Sequence, residues 1–72
     1  MNTIQQMWEG YKKDVIPENA SEIQITEMRN SFYAGSASSF ELLGKISEKH
    51  SEETAAEILQ GIHEEIALYF NP

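Results

Sequence analysis

One internal proline divides this chain unequally, and that division limits what it can fold into. Before Pro17, the residues Ile4, Met7, Trp8, Tyr11 and Val15 recur at the spacing of one amphipathic helical face. Thr3-Ile4-Gln5-Gln6 opens that face with a capping-box pattern, and Pro17 closes it by disfavouring helical geometry at Ile16. After the short connector Pro17-Glu18-Asn19-Ala20, the box recurs as Ser21-Glu22-Ile23-Gln24. From there no proline interrupts the chain before Pro72. A helix running to Lys49 would span about 40 Å, more than the ~30 Å diameter of a small domain. Ser51, followed by Glu52 and Glu53, supplies an N-cap and two carboxylates suited to the positive end of a third helix. Its stripe is Ala55, Ile58, Leu59, Ile62, Ile66, Tyr69 and Phe70. The spacing predicts one all-α domain over residues 1–72, with helices over about 3–16, 21–49 and 51–70.

The stripe of the central helix, Ile25, Met28, Phe32, Phe40, Leu43 and Ile46, keeps helical period except across Gly35-Ser36-Ala37-Ser38-Ser39. Serine and glycine are mediocre helix formers, so a break near Ser36 competes with a continuous or gently bent helix. The lack of bulk there permits close backbone approach, either by the third helix or by a second copy of the chain. Seventy-two residues bury only about 60% of the surface their unfolded chain exposes, and a core this small needs a staple. No cysteine is present, which removes disulfides and thiolate zinc sites. Self-association remains. We expect a bundle completed by homo-oligomerisation, a dimer or higher, with Met28, Phe32, Gly35, Ser36, Ser39 and Phe40 at the interface.

Net charge is −7, from twelve acidic and five basic residues, and no lysine or arginine follows Lys49. The summed field repels polyanions, so a nucleic-acid polymer is not an expected partner. No apolar run reaches membrane-span length and no signal-like segment opens the sequence, so a soluble cytoplasmic protein is expected. Gly10, Gly35, Gly44 and Gly61 are scattered along helices and form no phosphate loop. No nucleophile has a paired base, so neither an enzyme nor a cofactor is expected. His63-Glu64-Glu65 lacks a second histidine four positions on, where Ala67 stands, so no metal site is read from it. Lys45, Lys49 and His50 suit the negative pole of the central helix, as Lys12 and Lys13 suit that of the first.

What remains is a set of residues that could hold a planar anion: Trp8, Tyr11, Lys12, Arg29 and Tyr33. Trp8 and Tyr11 form either a stacking wall or part of the core. Arg29, the single arginine, has a fork suited to phosphate or to a carboxylate such as Glu22 or Glu27.

The pattern Trp8-x-x-Tyr11, Pro17, Gln24, Glu27-x-Arg29 and Phe32-Tyr33-Ala34-Gly35 resembles small helical proteins of tailed phages and prophages. The likeness covers roughly residues 4–40, and Ser36, Ser38 and Ser39 depart from the alanine and larger apolar residues that such proteins carry after the glycine. The resemblance implies an accessory protein that counteracts host defence in the host cytoplasm. One form is an oligomeric sponge for a nucleotide-derived immune signal. The alternatives are an acidic inhibitor or nucleic-acid mimic that blocks a host protein, and a structural or assembly component of the phage.

Overall fold

The computed structural model describes residues 3–72, which form three α-helices and, among the described residues, no strand: α1 Ile4–Val15, α2 Glu22–Lys49 and α3 Glu52–Phe70. Each start is set locally. The Thr3 hydroxyl accepts from the Gln6 N–H at 3.3 Å while the Gln6 side-chain oxygen accepts from the Thr3 N–H at 2.9 Å. Ser21 and Gln24 repeat the exchange at 3.1 and 2.9 Å. Two donors that a helix start leaves without intrahelical partners are thereby satisfied in each case. Ser51 caps α3 by accepting from the Thr54 N–H at 3.3 Å, with Glu52 and Glu53 in the first turn.

The first helix ends as a residue before proline should. Ile16 is extended, with φ −88° and ψ 126°, although its N–H still donates to the Lys12 carbonyl at 3.2 Å. The connector closes through the Ala20 N–H on the Pro17 carbonyl at 3.1 Å. Helix α2 continues through the whole small-residue block, so the break near Ser36 does not occur. There the Ser36 hydroxyl donates to the Phe32 carbonyl at 2.9 Å, one turn back along the same helix.

Contacts within the chain gather into two compact units, one ending at Ser39 and the other comprising Phe40–Pro72. In the first, Trp8 is wholly enclosed and Ile16 is buried. In the second, Ile46 is the buried apolar residue, while Ala55, Ile58 and Ile62 on α3 are half-buried. No helix among the described residues is long and apolar enough to cross a membrane.

Candidate functional site

The first unit gathers most of the chain's aromatic side chains, and the helix spacing explains how. Trp8 and Tyr11 are three apart on the inner stripe of α1, and Met28 and Phe32 are four apart on that of α2. Bringing these stripes together places the Phe32 ring 5.6 Å from Trp8 and 5.4 Å from Tyr11, centroid to centroid, all tilted. Trp8 and Tyr11 are themselves 6.1 Å apart. Tyr33 meets its neighbour Phe32 edge-on at 6.4 Å. These separations lie in the range where each aromatic pair adds about 0.5–1.5 kcal/mol beyond the area it buries.

Arg29, one turn before Tyr33 on α2, lies over this cluster, with its guanidinium carbon 5.9 Å from the centre of the Trp8 ring. The electron-rich indole face attracts the cation. No carboxylate lies within 4.0 Å of Arg29 among the described residues; the ion pair they contain is Lys45 with Glu41, at 3.3 Å on the surface of the second unit. Arg29 is an exposed residue, and its guanidinium makes no ion pair among the described residues. The Trp8 Nε1–H is buried with no acceptor among the described residues. A buried donor left in that state costs about 1–3 kcal/mol.

A shallow open groove beside the cluster is lined by Tyr11, Glu27, Met28, Ser31 and Phe32. Lys12 lies elsewhere, in a separate depression with Glu9, Lys13, Ile16, Pro17, Glu18 and Ile25. Of the five residues singled out for ligand contact, Tyr11, Arg29 and Tyr33 thus lie at the surface of one cluster. Trp8 forms its floor and Lys12 falls outside it. Tyr11 and Tyr33 are 38% and 40% exposed, enough to offer ring surface, whereas Trp8 at 0% offers none.

The six residues assigned to an interface divide as well. Met28 and Phe32 are half-buried within the first unit. A Cβ built at Gly35 would meet nothing within 4 Å, so packing inside the chain does not require a glycine there. Ser36 is half-buried, Ser39 is exposed, and Phe40 is 80% exposed. The groove also takes in Ser31 and Glu27, the latter expected as an acid for Arg29 and not as a groove wall, and the core takes in Ile16, expected only as the end of the first helix. The Glu27/Ser31 spacing of four, alternating with Met28/Phe32, was the available signal for the groove.

Among the described residues no group of three or more histidine, aspartate or glutamate side chains could hold a metal ion. No known protein family matches the chain, and neither curated proteins nor solved structures give a significant match.

Proposed function

We propose that this chain is a non-catalytic accessory protein of phage type that works as a homo-oligomer and sequesters a small nucleotide-derived signal of host defence. The observation that carries the reading is the state of Arg29. An exposed residue with no carboxylate partner among the described residues, its guanidinium held over the Trp8 indole and one helical turn before the part-exposed Tyr33, combines a phosphate-binding fork with ring surface for a base. In this reading the ligand's planar part stacks on Tyr33 and its phosphate meets Arg29. The resemblance of residues 4–40 to small phage proteins supplies the biological class.

Thermal melts with cyclic dinucleotides and cyclic ADP-ribose isomers test this. At a hundred times its Kd, such a ligand stabilises the folded state by about 2.7 kcal/mol. For a chain of this size that is a Tm rise of roughly 10–20 °C. Absence of any shift at millimolar ligand would overturn the reading.

A second reading, an acidic inhibitor of a basic host protein, is favoured by α3. At 100° per residue, Glu53, Glu57 and Glu64 fall within about 40° of one another, opposite the apolar stripe. All three are exposed, and α3 contains no lysine or arginine. Binding that weakens steeply with added salt, and that is lost when these three glutamates become glutamine, is the expected signature.

A further inference from the structure

We infer that the C-terminal half of the α3 stripe is the face on which a second copy of this chain docks, α3 against α3 about a two-fold axis. The inference rests on the homo-oligomeric state proposed above and names its surface.

Along α3 a single stripe changes character. Ala55, Ile58 and Ile62 are half-buried, in a unit whose α2 segment buries Ile46. Further along the same stripe, Ile66 is 56%, Tyr69 81% and Phe70 73% exposed. The two rings are packed edge to face at 5.2 Å, which presents them as one block. At roughly 200 Å² per aromatic side chain they leave about 300 Å² of ring surface open. That is more than a third of the ~800 Å² per partner that a standard interface covers, before the 56%-exposed Ile66 on the same stripe is added.

Charge placement selects the partner. The Glu53, Glu57 and Glu64 row points away from the stripe, and of the α3 carboxylates only Glu65 borders the bare half. A basic partner would require acids rimming this surface on both sides. A nearly uncharged apolar face is instead complementary to itself, as a two-fold contact requires.

Sedimentation and native mass spectrometry on the full chain test the inference, with far-UV circular dichroism to verify folding. The double substitution Tyr69→Ser with Phe70→Ser is expected to keep its helix content, because both rings are exposed, and to weaken self-association by about 100-fold or more. A folded double variant that associates as tightly as the parent overturns this face but leaves the homo-oligomer standing. A parent chain that stays monomeric at every concentration overturns both. Because the chain has no cysteine, Tyr69→Cys and Glu57→Cys provide an independent comparison even if the double variant unfolds. A short thiol-reactive crosslinker should join Tyr69→Cys subunits and leave Glu57→Cys subunits apart. Equal or reversed yields overturn the inference.

Discussion

Truncating Phe32 to alanine removes the ring that connects α1 to the first half of α2, and its cost follows from the ring's neighbours. Phe32 pairs with Trp8 at 5.6 Å, Tyr11 at 5.4 Å and Tyr33 at 6.4 Å. A fully buried phenylalanine costs about 3–5 kcal/mol when cut to alanine. Phe32 is half-buried, which places it near the lower end, about 3 kcal/mol, with the three aromatic pairs opposing any further discount. The expected consequence is a fall in Tm of roughly 12–24 °C at fixed protein concentration. The single tryptophan makes the assay direct, because Trp8 is wholly enclosed in the folded chain and its emission should shift to the red as the first unit opens. Urea titration followed by Trp8 fluorescence and by far-UV circular dichroism gives the free energy by two probes. Phe32→Leu keeps apolar volume while losing the ring geometry, and should cost about 1–1.5 kcal/mol. A Phe32→Ala midpoint within scatter of the parent would show that the aromatic cluster does not hold the unit together.

Three further outcomes are expected. Ser21→Ala removes the hydroxyl that accepts from Gln24 at 3.1 Å and should cost about 1 kcal/mol, read as a Tm drop of roughly 4–8 °C; an unchanged melt would mean the cap is not formed. Gly35→Ala should stabilise by about 1 kcal/mol, as Gly61→Ala should, because both sites are helical and an added Cβ meets nothing within 4 Å. Destabilisation at Gly35 alone would reveal a neighbouring copy packed against it. Arg29→Ala should abolish nucleotide-dependent stabilisation and Arg29→Lys should retain only part of it, since the point charge survives but the planar fork does not; an Arg29→Ala chain that still responds fully would remove Arg29 from the site.

The elements legible in the sequence were those set by local chemistry. Thr3 with Gln6, Ser21 with Gln24, and Ser51 each begin a helix through contacts three residues away, and Pro17 acts on the residue before it. The helix limits read from the sequence accordingly agree with the structure to within a residue. The small-residue block stays helical because nothing in Gly35–Ser39 forbids it, and the Ser36 hydroxyl finds its acceptor inside the helix. The site was less legible because it depends on contacts across helices. Periodicity placed Trp8 and Tyr11 on one face, but the position of Phe32 is what makes one of them the floor and leaves the other part-exposed. Arg29 had acids nearby in sequence at Glu22 and Glu27, yet it lies over an indole contributed by a different helix. Ile16 is buried although it stands outside any helical stripe, because the extended residue before proline turns its side chain by a geometry that periodicity does not track.

In the proposed assembly, copies of this chain cover one another's apolar faces. Melting followed by circular dichroism across about two decades of protein concentration tests it most directly, because folding coupled to association makes Tm depend on concentration. Tm is expected to rise steadily with concentration, and the sedimenting species to be a whole-number multiple of 8.2 kDa. A single-chain species whose Tm is the same at every concentration would contradict it.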